Sequence, residues 1–310
     1  MRFNEGARLD TSDVTDVRGG GGGGFGGGRG LAVGGGGLGV VGIIVVVLFQ
    51  LLGGGGGGST GGSPLGGGGF GAIGQGQTAD DSDLAQDCQT GADANRSVEC
   101  AVVAQIDSIQ DYWTQAYDGY QRTDTVFFAG SVQTGCGGAS SGTGPFYCPA
   151  DQLVYIDLTF FDELQQRFGA QGGVFVDGYV LAHEYGHHVQ DLLGTSTQVD
   201  HAESGPTSGS VRLELQADCY AGTWANHAET VPDESGQPLI ADITDDDIAR
   251  ALDAAGRIGD DFIQENLGSG RVDEESFTHG SSEQRRRWFT TGYQTGDPNQ
   301  CDTFATDDLG

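Results

Sequence analysis

His183-Glu184-Tyr185-Gly186-His187 sets two imidazoles four residues apart, with a carboxylate directly after the first. On a helix, positions i and i+4 lie one turn apart on one face, so both rings can reach a single Zn²⁺ at about 2.0–2.1 Å. Glu184 falls about 100° round the helix from His183. That offset keeps it off the metal and beside it, where a general base for water is needed. A catalytic zinc takes three protein ligands and leaves one position open, so a third donor must come from another segment. Glu214-Leu215-Gln216-Ala217-Asp218 offers it, with two carboxylates at i and i+4 inside an uninterrupted helical stretch over 210–228. Glu214 is the expected third ligand. Asp218, one turn on, is placed to accept the outer N–H of a ligating histidine and so fix its tautomer. Two ionised carboxylates on a helix that also carries Leu213, Cys219, Tyr220 and Trp224 would be costly near a core without a compensating cation.

The elements that must position these groups can be read around them. Val180, Leu181, Val189, Leu192 and Leu193 mark the first motif as helical, with Asp177 expected at its N-cap and Gly194 just past its end. Gly186 breaks the propensity pattern, since a mid-helix glycine costs roughly 1 kcal/mol against alanine, and this implies close approach of another backbone or a substrate. Residues 154–158 read as a strand followed by a helix over 159–168, and residues 126–129 as a second strand. Further helices are expected over 98–120 and 245–267. Either strand could be an edge to which a peptide adds by backbone hydrogen bonds, or an ordinary core strand. His188 is rotated off the metal face and reads as a packing or hydrogen-bonding residue, while His201 and His227 carry no pattern and default to the surface.

The pairing of His-Glu-x-x-His with Glu-x-x-Ala-Asp resembles the Glu-zincin metallopeptidases. The phrases His-Glu-Tyr-Gly-His-His-Val-Gln (183–190), Leu-Gln-Ala-Asp-Cys-Tyr-Ala-Gly (215–222), Gly-Pro-Phe-Tyr-Cys-Pro-Ala-Asp (144–151) and Thr-His-Gly-Ser-Ser-Glu-Gln-Arg (278–285) are similar to the putative neutral zinc metallopeptidase family of bacteria. The likeness is motif-specific over 144–288 and compositional before residue 80. It implies an α+β zincin-like domain, mainly helical with a small sheet, that binds zinc and hydrolyses peptides, and it implies no particular substrate. In related zincins a distant His or Tyr stabilises the oxyanion of the tetrahedral intermediate, and His279 matches that role. Ser281 and Ser282 ahead of Glu283 equally fit a helix cap, which would make His279 an ordinary residue at a helix start.

The chain has 310 residues, a formal net charge of −30 and no lysine, which argues against a nucleic-acid backbone as partner. Its 58 glycines concentrate before residue 77 in runs that cannot bury a core. Within them, Leu31–Leu52 carries no charge and has a dense apolar block from Val40 onward. As a helix at about 1.5 Å per residue it would cross the ~30 Å hydrocarbon layer. Residues 1–30 then read as a cytoplasmic acidic and glycine-rich tail, 31–52 as an uncleaved transmembrane helix, 53–80 as a linker and 81–310 as the metallopeptidase domain. Arg2, Arg8, Arg18 and Arg29 precede the apolar segment and no basic residue follows until Arg96, so the expected orientation is N-terminus cytoplasmic, domain outside. All six cysteines lie beyond residue 52 and none forms Cys-x-x-Cys, which fits disulfides in an oxidising compartment. Of fifteen possible pairings, the favoured set is Cys88–Cys100 and Cys136–Cys148 as local loops, with Cys219–Cys301 as a staple on the C-terminal tail.

The expected function is that of a membrane-anchored zinc endopeptidase, with His183, His187 and Glu214 as ligands, Glu184 as base and a peptide or protein as substrate. The alternative is a membrane-anchored binding or assembly protein of the same fold without chemistry. Glu184 stands against it, because a purely structural zinc has no use for a base there.

Overall fold

The computed structural model describes residues 1–18, 82–233 and 235–310. In chain order its elements are β1 (Arg2–Phe3), β2 (Val14–Asp16), α1 (Ser82–Asp87), α2 (Gly91–Ala94), α3 (Val98–Ala116), β3 (Thr125–Phe127), β4 (Ser131–Thr134), β5 (Gly137–Ser140), β6 (Phe146–Cys148), β7 (Leu153–Ile156), α4 (Phe160–Gln166), α5 (Val174–Leu193), α6 (Gly209–His227), β8 (Ile240–Asp242), α7 (Asp245–Arg257), α8 (Asp260–Asn266) and α9 (Ser282–Thr295). The architecture is α+β. Helices dominate, and the largest sheet has four strands in the order β2-β3-β7-β6.

α5 runs through the core, with Phe175, Tyr179, Leu181, Tyr185 and Val189 all buried. Its C-terminal boundary is the expected one, with Gly194 at φ 73 capping the last turn. Its start is not. The helix begins three residues before Asp177, with Gly173 at the N-cap, and Asp177 sits in the first turn, where a carboxylate favours the helix dipole. α6 crosses α5 at Gly186, where an added Cβ would lie 3.0 Å from the Ala217 Cα and 3.2 Å from its carbonyl oxygen. The close approach inferred from that mid-helix glycine is therefore the backbone of the helix that carries Glu214 and Asp218.

α9 packs as tightly on the other side of α6. A Cβ at Gly292 would lie 1.9 Å from the Cys219 carbonyl oxygen, and one at Gly222 would lie 2.2 Å from that of Phe289. α3 closes the core from a third direction, its buried Gln105 donating to the Val174 carbonyl at 2.6 Å. The three disulfides are Cys88–Cys100, Cys136–Cys148 and Cys219–Cys301, the favoured set.

Several expected boundaries shift. The helix over 98–120 ends at Ala116, and the stretch over 245–267 is two helices, α7 and α8, parted at Ile258 and Gly259. Ser282 comes so close there that a Cβ on Gly259 would sit 2.5 Å from its nitrogen. Both strands foreseen in the sequence are internal: β3 lies between parallel β2 and β7, and β7 lies between β3 and antiparallel β6. The sheet's edge strands are β6 and β2.

Of the N-terminal tail expected over 1–30, residues 1–18 are described. Its first eighteen residues are part of the same folded body as the rest: β1 pairs with β8, and β2 adds to β3 as the sheet's other edge strand. No helix among the described residues is long and apolar enough to cross a membrane. The expected transmembrane segment 31–52 and linker 53–80 lie outside the described residues.

Candidate metal centre

α5 and α6 bring His183, His187 and Glu214 together, with one ligand atom from each lying within 4.8 Å of the other two. Glu214 Oε2 is 3.1 Å from His183 Nε2, and its Oε1 is 3.5 Å from His187 Nε2. All three residues are buried. The donor set of two imidazoles and a carboxylate is that of a catalytic zinc. Two buried atoms in this corner, His187 Nε2 and Glu184 Oε1, have no hydrogen-bond partner, an expensive arrangement unless a cation and water complete it. The residues therefore fit a zinc ion.

Both histidines of the group are oriented from behind. His183 Nδ1 donates to Asp218 Oδ1 at 2.9 Å, the contact expected from the spacing of Glu214 and Asp218. His187 Nδ1 donates to Gln190 Oε1 at 2.9 Å, and Gln190 is fixed by its own bond to the Leu213 carbonyl at 2.7 Å. Asp218 in turn accepts from Tyr179 at 2.7 Å and from Arg285 Nε and Nη2 at 2.7 and 2.9 Å. Arg285 is wholly buried, so this bidentate ion pair works in a water-poor setting.

The electrostatics follow from that packing. Burial alone would raise the Asp218 pKa, but Arg285 and His183 outweigh it and hold it at about 2. Burial likewise opposes ionisation of Glu214, yet His187, His183 and His279 bring its pKa well below the usual carboxylate range. Without metal, His183 is depressed by burial and lifted more by Asp218 and Glu214, to about 9. Glu184 goes the other way. Burial raises its pKa, and the neighbouring histidines only partly offset that.

Glu184 does not point at a helix neighbour. Its Oε2 accepts the Tyr147 amide at 3.1 Å, so the outward-facing edge of β6 abuts the metal corner. His279, from the loop leading into α9, is buried, and it and Glu214 each shift the other's pKa through charge. Asp260 at the start of α8 holds it: Oδ2 accepts the His279 amide at 2.7 Å and Oδ1 lies 3.4 Å from Nδ1. Ser281 caps α9 with Gln284 closing a capping box, so the cap reading of this stretch holds. His188 contacts the Tyr147 hydroxyl at 3.2 Å and the Gln121 carbonyl at 2.6 Å, a packing role as expected. His227 is half-buried rather than on the surface, bonding the Gly296 carbonyl at 2.9 Å and stacking on Tyr112.

Gln190, Asp260 and Arg285 were not singled out in the sequence. Gln190 could have been, as it lies three residues after His187 and so on the same helix face.

Fold and site together define an α+β protein with a buried two-histidine, one-glutamate group able to hold a metal ion where two core helices cross. The chain belongs to the putative neutral zinc metallopeptidase family, whose model matches residues 1–304. It is 53% identical over 229 residues to the uncharacterized protein Rv2575 of Mycobacterium tuberculosis strain H37Rv, covering 74% of this chain and 78% of the relative. It is 44% identical over 205 residues to the uncharacterized protein YpfJ of Escherichia coli strain K12, covering 63% of this chain and 68% of the relative. No solved structure matches the chain.

Proposed function

We propose that this protein is a zinc-dependent peptidase of zincin-like fold whose general base is Glu184. The observation that carries the reading is the Glu184 carboxylate itself: Oε2 is fixed by the Tyr147 amide while Oε1 is buried, unpartnered and adjacent to the three ligands. A structural site needs no such group. Zinc bound by His183, His187 and Glu214 would supply Lewis acidity that polarises a carbonyl and makes water nucleophilic near neutral pH.

The protein's own groups then divide the remaining work. Glu184, its pKa raised by burial, accepts a proton from the attacking water and passes it to the leaving amine as the C–N bond breaks. His279, held by Asp260, donates to the oxygen on which negative charge develops. β6 has its free edge toward this corner, so an extended peptide can pair with it as an added strand and lay its scissile bond across the site. Gln190 and Asp218 keep the histidine rings in the tautomer that leaves Nε2 free for the metal.

The test is incubation of the full chain with a broad peptide library. Cleavage that stops with chelator and returns with added zinc is expected, and a zinc-loaded protein that cleaves nothing in the library would contradict the reading.

A further inference from the structure

Residues 1–18 are built into the domain that carries the metal ligands. The Phe3 backbone exchanges two hydrogen bonds with the Asn95 side chain, each 2.9 Å, and the Gly91 amide donates to the Ala7 carbonyl at 2.9 Å. A Cβ on Gly91 would lie 2.0 Å from the Asn4 carbonyl oxygen, so α2 is shaped to this segment. The Asp10 amide donates to buried Asp107 at 2.8 Å, and Asp13 accepts from Gln110 and from Arg122 Nε, both at 2.8 Å. Phe3, Ala7 and Val14 are buried, and β2 covers one edge of the sheet, protecting a row of backbone groups that would otherwise be open.

Two of the arginines ahead of the apolar stretch, Arg18 and Arg2, pair with carboxylates of the same body. Arg18 pairs with Asp16 and with Glu99 on α3, each at 2.6 Å, and lies over the Phe127 ring. Arg2 faces Asp242 on β8 at 3.8 Å. Charges committed to a folded domain are poor evidence for retention of a free tail in the cytoplasm.

None of these contacts can form across a hydrocarbon layer of about 30 Å. We infer that residues 1–18 and the metal-centre domain lie on the same side of any membrane the protein touches. The N-terminal strands and the metal-centre helices are therefore to be found in one compartment. This revises the orientation with N-terminus inside and domain outside. It does not depend on the peptidase reading.

The absence of lysine from the chain makes the test clean. Arg8 and Arg271 are both exposed and outside the metal centre, so Arg8→Lys and Arg271→Lys each place one amine-reactive side chain in the full-length protein. Spheroplasts expressing either variant are treated with a membrane-impermeant amine-reactive ester before or after lysis. Modification is then read by peptide mass on the fragments holding residues 8 and 271, which excludes the terminal amine. The inference requires the same intact-to-lysed labelling ratio at both positions, whichever compartment that proves to be. Labelling of one position in intact spheroplasts with the other labelled only after lysis would overturn it.

Discussion

Arg285 grips Asp218 with Nε at 2.7 Å and Nη2 at 2.9 Å, and the same carboxylate accepts the His183 Nδ1 proton at 2.9 Å. His183 on α5, a candidate metal ligand, is thus aligned by α9 through a residue of α6. Because Arg285 and Asp218 are wholly buried, the pair makes the orientation of His183 depend on how three helices pack.

Arg285→Gln should leave Asp218 buried with only His183 to offset its charge, destabilising the metal-free protein at neutral pH by up to about 3–5 kcal/mol. The folded Asp218 pKa of about 2 lies below the ordinary aspartate value of 3.8, so the stability it contributes is fully present above that value and is lost as pH falls from about 4 toward about 2. Urea unfolding of wild type and variant across this range should therefore show their difference shrinking as acid is added. A difference that stayed constant would show that the pair does not act through charge.

Gly292 and Gly222 let α9 and α6 meet backbone to backbone. Gly292→Ala should lower the melting temperature despite the gain in helix propensity, at a cost of about 1–3 kcal/mol or more, because the added methyl falls 1.9 Å from the Cys219 carbonyl oxygen. Thermal unfolding with the disulfides intact measures it, and an unchanged melting temperature would mean that the helices can part at no cost.

The parts of the site legible in the sequence were those encoded locally. His183, Glu184 and His187 lie within one helix turn, Glu214 and Asp218 within another, and helical phase alone fixes which of them share a face. Arg285 is one of three consecutive arginines, 67 residues beyond Asp218, and only the phase set by the Ser281 cap separates it from exposed Arg286 and Arg287. Asp260 became a partner of His279 through the break between α7 and α8, which an unbroken helical pattern over 245–267 concealed. The N-terminal strands were illegible for a different reason: they are two and three residues long and exist only through pairing with distant segments.

Removing residues 1–18 should therefore damage the domain. Withdrawing buried Phe3 and Val14 alone forfeits about 1.5–3 kcal/mol each, before the lost strand pairing is counted. A fragment of residues 82–310 is expected to melt well below the full chain, and a synthetic peptide of residues 1–18 should restore part of the loss at saturating concentration. A fragment as stable as the full chain would mean that the N-terminal strands add nothing.

His279 and Asp260 should act on turnover and spare the metal. His279→Gln is expected to lower kcat by about 10²–10³-fold with zinc content unchanged, the scale for loss of one oxyanion donor. Asp260→Asn should cost less, since the ring remains but is held less firmly. Loss of zinc in His279→Gln would place this histidine among the ligands instead.

The most direct test of the peptidase reading compares Glu184→Gln with Glu214→Ala by elemental zinc analysis and peptide cleavage on the same preparations. Glu184→Gln keeps the shape of the side chain, so zinc should stay near wild-type stoichiometry while cleavage falls by about 10²–10⁴-fold, the usual range for a general base. Glu214→Ala removes a ligand and should lose zinc and stability together. A Glu184→Gln protein that cleaves peptides at the wild-type rate would contradict the account.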